Sequence, residues 1–450
     1  MVTQTARIAI FTLTVLSAFS CLCSAGGTPV HIVIGHSTVF LNGPWRFHVG
    51  DDAAWADRNF DDSAWEAVDL TAAPGAHDED VGLTRYVTGW EARGYRGYSG
   101  YAWYRMQVVV SAPLGEALLL SGPPAVDSAY QLFFNGQLLG GEGRFSGRTP
   151  TVFSIQPRVF AIPRSVADSQ PAVIAVRVWM GPWDLEDPSG GGMRIAPALG
   201  EAGDIKLLYE SQWLETVKGY IVEVIEAGAF VLLALMAWTL GAIENARQSY
   251  FWLCVALVLT ACFRANQAIF FWGQIETVHA VEMISLVLLV PFCMAAWTLA
   301  WQSWFGVKAK WFPRAVGLLT LMYAGAQFFT RSWFHGVLPD AVRGVSAFAI
   351  TCVRAAFVLL TAYIIYRAVR SGAAKRDWGM ALAVMLLISV GQFAREVSAL
   401  GIQGIWFPFG TGVSRTQYAY AIFDVVFFGL LLHRFLAGVK LQSIATEVRA

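Results

Sequence analysis

Seven apolar segments, each near the length that crosses a bilayer, fill residues 219–437 of this chain. Hydropathy places them at 219–242, 249–271, 278–301, 312–330, 344–367, 378–400 and 417–437. A bilayer core ~30 Å thick takes about 20 residues of helix. No water is available there to bond the backbone, so a crossing segment must satisfy its own amides, which single helices do. The second half is therefore expected to be an all-α bundle of seven membrane helices. Composition agrees, with 56% hydrophobic and 14% charged residues, where soluble chains average about 25% charged.

An odd number of crossings puts the two ends on opposite sides. Residues 1–25 read as a signal peptide: Arg7 is basic, residues 8–19 are apolar, and Cys23-Ser24-Ala25 precedes Gly26 as a cleavage site. An uncleaved anchor is the alternative, weakened by an apolar run of only about a dozen residues. With residues 26–218 exported, the C-terminus is cytoplasmic. Loop charges agree: Arg247, Lys308, Lys310, Arg370, Lys375, Arg376, Lys440 and Arg449 fall inside, and Arg331, Arg343 and Arg415 fall in wet outer loops.

Residues 26–203 follow another pattern. Short β-rich runs at 31–34, 38–41, 45–49, 101–110, 117–120, 130–134, 151–155, 159–162, 172–180 and 193–196 alternate with Gly, Pro and Asp turns. That is the pattern of an all-β sandwich. Asn135-Gly136 between two such runs signals a tight hairpin. The domain has no cysteine, so it must fold without disulfides, and roughly 175 residues suffice for one core. Cys21 and Cys23 lie in the signal; Cys254, Cys262, Cys293 and Cys352 lie in apolar spans without metal-ligand spacing. No metal or cofactor is expected. A net charge of zero gives no case for nucleic acid.

Leu41-Asn42-Gly43-Pro44-Trp45-Arg46-Phe47, Gly50-Asp51-Asp52, Trp55-Ala56, Phe60-Asp61-Asp62-Ser63-Ala64-Trp65, Tyr101-Ala102-Trp103-Tyr104-Arg105 and Asp127-Ser128-Ala129-Tyr130 follow one another. This series resembles the sugar-binding jelly roll of glycoside hydrolase family 2, a galactose-binding-like sandwich. The resemblance implies a carbohydrate-binding fold. The family's catalytic (β/α)8 barrel with its two carboxylates has no counterpart after residue 203, so no enzymatic activity is carried over. Trp45, Trp65, Trp103 and Tyr104 read as core aromatics, and Asp51-Asp52 and Asp61-Asp62-Ser63 as turns. The long segment 75–100 holds Trp90, Arg93, Tyr95, Arg96 and Tyr98, and the segment 181–192 adds Trp183 and Asp184. Aromatic faces beside charged groups can stack on and bond a pyranose, so these seven are the candidate ligand contacts. A spacer or protein-contact role is the competing reading.

Within the spans stand Glu223, Glu226, Arg264, Asn266, Gln267, Glu282, Arg354, Gln392, Arg395, Glu396 and Asp424. Ionisable groups are costly in lipid and should turn inward. On the assigned topology nearly all lie in the periplasmic half. They form either structural pairs or a polar cavity open to the outside.

An exported sandwich, seven spans and a cytoplasmic C-terminus resemble bacterial seven-transmembrane receptors with diverse intracellular signalling modules. That resemblance implies a bacterial inner-membrane sensory receptor. The partners it implies are a cytoplasmic kinase, cyclase or phosphatase; the chain itself predicts membrane lipid, a saccharide and a second copy as partners. Residues 204–218 read as an interfacial juxtamembrane linker. Residues 438–450, with Ala437, Leu441, Ile444 and Val448 at 4-3-4 spacing, read as the start of a signalling helix that stops before an output domain. A glycan-binding anchor without signalling and a transporter are the alternative functions; an exported glycosidase fails on the missing barrel.

Overall fold

The computed structural model describes residues 29–34, 37–78, 82–111, 117–163, 171–182, 189–334, 337–370, 378–406 and 413–447. The signal sequence, Trp183 and Asp184 lie outside the described residues.

The first half is strand-rich. In chain order the strands are β1 (Val30–Val33), β2 (Thr38–Phe40), β3 (Trp45–Val49), β4 (Glu66–Val68), β5 (Gly100–Ser111), β6 (Leu118–Ser121), β7 (Val126–Asp127), β8 (Ala129–Phe134), β9 (Gln137–Glu142), β10 (Val159–Ala161), β11 (Pro171–Met180), β12 (Gly192–Met193) and β13 (Ala198–Glu201). One sheet runs β4-β3-β5-β11-β8-β9, with β1 parallel to the far end of β5; a second runs β10-β6-β13-β2. The two β8–β9 turn residues take positive φ, Asn135 at 45° and Gly136 at 83°. This is the chemistry a two-residue hairpin requires. The expected strand at 151–155 is absent; Thr151 makes only an isolated bridge to Arg144.

Strand β5 explains the layering. Ala102, Tyr104, Met106, Val108 and Val110 face the core between the sheets, with Phe47, Leu120 and Leu199. Trp103 faces the other way, under a lid of Trp55, Phe60 and Trp65. Arg105 shares that outer face and is fully buried. Its guanidinium donates to Asp62 at 2.8 Å, to the Asp57 carbonyl at 3.0 Å, and to the carbonyls of Trp55 and Phe60. Asp52 and Asp61 bond their own turns, accepting from the amides of Ala54 and Ser63. Asp62 is instead the counter-ion of a buried cation, and Asp51 bonds Arg177 and the Trp103 indole.

The second half is helical: α1 (Ala202–Ile243), α2 (Arg247–Gly273), α3 (Val278–Trp304), α4 (Phe312–Thr330), α5 (Asp340–Arg370), α6 (Trp378–Gln392), α7 (Ala394–Ala399) and α8 (Arg415–Glu447). Five of these are long and apolar enough to cross a membrane: α1, α2, α3, α5 and α8. Helix α4 carries Pro313, Arg314 and Gln327 and is less apolar; α6 is 15 residues long and is followed by the short α7. Helix α1 packs on α2 and α8, α2 on α3, α3 on α4, α4 on α5, and α6 on α8. Phe230, Leu257, Trp297, Phe357 and Phe427 lie in their shared core.

Two features depart from the hydropathy reading. The linker 204–218 is no separate interfacial element: α1 begins directly after β13 and runs 42 residues without a break. At ~1.5 Å per residue it is roughly 63 Å long, about twice the bilayer core. In α3, residues Glu282–Leu289 are wound as a π-helix, and the Val290 amide reaches back five residues to Ser285. Pro291 follows; lacking an amide, it cannot continue the ordinary ladder, and the wider turn precedes it.

Candidate functional site

The segment 82–100 is held in place by the segment after β11. Val87, Gly89, Trp90 and Glu91 donate their amides to the carbonyls of Arg194, Ser189, Gly191 and Gly190. Arg194, 1% exposed, donates to the carbonyls of Val87 and Ser189 and to Asp127 at 2.9 Å, and stacks on Tyr86. Gly191 and Gly192 are required there: a Cβ would stand 2.4 Å from the Trp90 ring and 2.1 Å from the Tyr104 hydroxyl.

This packing sorts the sandwich candidates. Trp90 is fully buried, donates to the Tyr98 carbonyl at 3.2 Å, and packs on Phe47. It is a core plug and offers no face to a ligand. Arg93 is half-buried over the Phe47 ring and donates to the Tyr104 hydroxyl at 3.2 Å. Tyr95 donates to Glu66 at 2.8 Å and Tyr98 to the Tyr101 carbonyl at 2.6 Å, both half-buried. Burial is the first cause that pushes both phenols above their ordinary range. Of the candidates among the described residues, Arg96 is the exposed one, and Tyr95 and Tyr98 are only partly so. Arg194 and Asp127 escaped the sequence reading because nothing local marks a buried pair whose partners are 67 residues apart.

The bundle sorts its polar residues into three groups. In the first, Arg264 of α2 donates to Glu223 at 2.8 Å and Glu226 at 2.6 Å, both on α1, and to Gln267 at 2.8 Å. Gln417 of α8 donates to Glu223 at 2.9 Å. Asp424, also on α8, is half-buried, and its Oδ1 has no hydrogen-bond partner among the described residues. Asn266 donates to Ser285 at 2.9 Å. In the second, Glu282 meets Arg331 at 3.0 Å, and Arg331 also bonds Gln327. In the third, Arg354 donates to Glu396 at 2.7 and 2.5 Å, to the Tyr323 hydroxyl at 2.9 Å and to the Gln392 carbonyl at 3.1 Å.

Three arginines differ from the sequence reading. Arg331, expected in a wet loop, is 6% exposed because Glu282 and Gln327 draw it inward. Arg415 is also buried, donating to the carbonyls of Ile402 and Ala394 and to Ser398. Arg395 is exposed and has no hydrogen-bond partner among the described residues, so it does not form the ion pair expected of it.

Besides the unbroken α1, sandwich and bundle meet at a second place, which hydropathy does not reveal. A helix leaves its last four carbonyls without partners. At the end of α2, sandwich side chains supply partners to three of them: Ser154 donates to the Phe270 carbonyl at 2.7 Å, and Gln156 to those of Phe271 and Trp272 at 3.1 Å each. The next residue, Gln274, takes φ 46° and ψ 29°. This left-handed conformation is uncommon outside Gly and Asn. Its side chain donates to Glu142 at 2.6 Å and to the Ser154 carbonyl at 2.9 Å, and accepts from Arg158 at 3.1 Å. Arg158 also bonds Glu142, which raises its already high pKa. Val278 opens α3 by donating to the Val152 carbonyl at 3.0 Å. On the other side, a cleft of about 200 Å³ separates the sandwich from α1, walled by Phe40, Arg85, Pro157, Gln212 and Glu215.

No protein-family model and no curated protein matches the chain. Among solved structures, a β-glucuronidase of Bacteroides uniformis is 24% identical, covering 36% of this chain and 17% of that one, with TM-score 0.26. A glycosyl hydrolase family 2 member of Bacteroides cellulosilyticus is 18% identical over 36% and 20%, with TM-score 0.24. A β-glycosidase of Bacteroides vulgatus is 19% identical over 37% and 20%, with TM-score 0.24. The chain thus spans a fifth or less of the length of these three structures.

Proposed function

We propose that the chain is a bacterial inner-membrane receptor, in which a periplasmic saccharide-binding sandwich sets the state of a seven-span bundle. The seven spans take α4 as the fourth, α6 with α7 as the sixth, and α8 as the seventh. The C-terminus is then cytoplasmic, where a kinase, cyclase or phosphatase would read it. The carrying observation is the joint at the end of α2. The helix depends on Ser154 and Gln156 of the sandwich for its terminal carbonyls, and Gln274 holds an unfavourable backbone while bonding Glu142 and the Ser154 carbonyl. Strain of this kind persists where surroundings over-determine it. Together with the unbroken α1, the joint gives a ligand two routes into the bundle. A ligand shifts the bundle only by binding its two states unequally.

The test begins with the purified full chain on a glycan array, in nonionic detergent. Hydrogen exchange is then measured with and without the tightest-binding glycan. Binding should change exchange at 270–278 and 202–218, and Gln156→Ala should abolish the change at 270–278 while leaving affinity within about twofold. Glycan binding without any change in these segments would mean an anchored binder instead of a receptor. Absence of glycan binding would reject the saccharide reading.

A further inference from the structure

Between α3, α4, α5 and α7 lies a cavity of about 840 Å³. Small-molecule sites run from about 300 to 1,000 Å³. Leu286, Val290 and Ile350 give it an apolar wall; Arg331, Arg354 and Arg395 line it as well. A smaller cavity of about 150 Å³ shares Val290, Arg354 and Arg395 with it and reaches Trp297 and Tyr420.

The charges around the cavity are uneven. Arg331 is paired with Glu282, and Arg354 with Glu396. His279 approaches Glu282 at 3.9 Å and adds no fixed charge when neutral. Arg395 is the third guanidinium on the wall; it donates no hydrogen bond among the described residues and interacts with Glu396 only through charge, while Glu396 is hydrogen-bonded to Arg354. Three cations thus face two carboxylates beside an apolar wall in a membrane helix bundle. Guanidinium binds carboxylate and phosphate oxygens through paired donors, and those of Arg395 are not taken by a hydrogen bond among the described residues.

We infer that this cavity binds an amphipathic anion, its head on Arg395 beside Arg354 and its apolar body along Leu286, Val290 and Ile350. A free acyl carboxylate and an anionic phospholipid share that chemistry. The site is separate from the sandwich and needs no saccharide.

The test uses the full chain in nanodiscs of zwitterionic lipid, with dodecanoate as probe and dodecanol as its uncharged counterpart. Dodecanoate should bind saturably. Its affinity should fall tenfold or more in Arg395→Gln and weaken in Ile350→Trp, whose larger side chain intrudes on the apolar wall. Arg367→Gln, at the opposite end of α5, should bind as wild type. Arg395→Gln is an exposed change that should fold even if Ile350→Trp does not. Equal binding of dodecanol, or unchanged affinity in Arg395→Gln, would overturn the proposal and leave Arg395 as a side chain reaching to water. Adding phosphatidylglycerol to the discs separates the sources, and both outcomes support the site: competition identifies lipid, and its absence identifies the free carboxylate.

Discussion

Replacing Arg264 by Met should be among the most damaging single changes in the bundle. The guanidinium is 4% exposed and is the shared cation of Glu223 and Glu226, themselves 5% and 2% exposed. Met fills similar volume and keeps the packing against Tyr420, so the loss is chiefly electrostatic. Removing one partner of a buried pair costs about 3–5 kcal/mol, because the remaining charge is left uncompensated. For a unit of this size each kcal/mol corresponds to roughly 2–4 °C in Tm. The expected drop is therefore roughly 6–20 °C for the detergent-purified chain. Adding Glu223→Gln and Glu226→Gln to Arg264→Met removes the stranded charges and should recover more than half of it. Arg395→Gln, which breaks no hydrogen bond among the described residues, should stay within about 0.5 kcal/mol. The assay is thermal unfolding of the four proteins by intrinsic fluorescence in one detergent. Equal losses in the single and triple variants, or an Arg395→Gln loss as large as that of Arg264→Met, would refute the reasoning.

In the sandwich, Arg105→Met strands Asp62 and three carbonyls, and should cost about 3–5 kcal/mol; urea unfolding of the full chain followed by tryptophan fluorescence measures it. Gly391→Ala places a Cβ 2.2 Å from the Tyr420 hydroxyl and should cost about 1–3 kcal/mol through overpacking, read as a lower Tm. The Tyr130 hydroxyl is buried with no hydrogen-bond partner among the described residues, and burial pushes its pKa above the ordinary range. Unfolding releases that proton above pH ~10, so the folded state holds more protons there and stability falls as pH rises. Tyr130→Phe should therefore be neutral or stabilising by about 1 kcal/mol at pH 7. Its advantage should grow by about 1.4 kcal/mol per unit above pH ~10, which urea midpoints across that range would show.

Local pattern determined a good deal of this protein. Runs of apolar residues placed the apolar stretch of each long helix, because a segment fit to cross a membrane must satisfy its backbone within itself, but they missed residues 202–218 of α1 and the break between α6 and α7. Alternation placed most strands, and Asn135-Gly136 placed a hairpin, because both signals are complete within a few residues. Trp45, Trp103 and Tyr104 were legible as core for the same reason. Pairing across distance was not legible. Arg105 with Asp62, Arg194 with Asp127, and Arg331 with Glu282 are ordinary charged residues until the fold brings them together. The same holds for Trp90, which sits in an irregular segment whose sequence resembles a binding loop; only the glycines at 191 and 192, a hundred residues later, leave room for its ring. The joint at Gln274 is the furthest from local pattern. Its backbone conformation, its bonds to Glu142 and Ser154, and the capping of α2 by Ser154 and Gln156 exist only because the sandwich rests on the turn between α2 and α3, two helices long and apolar enough to cross a membrane. Helices and strands arise from interactions a few residues apart, whereas a site arises from contacts that only tertiary packing makes.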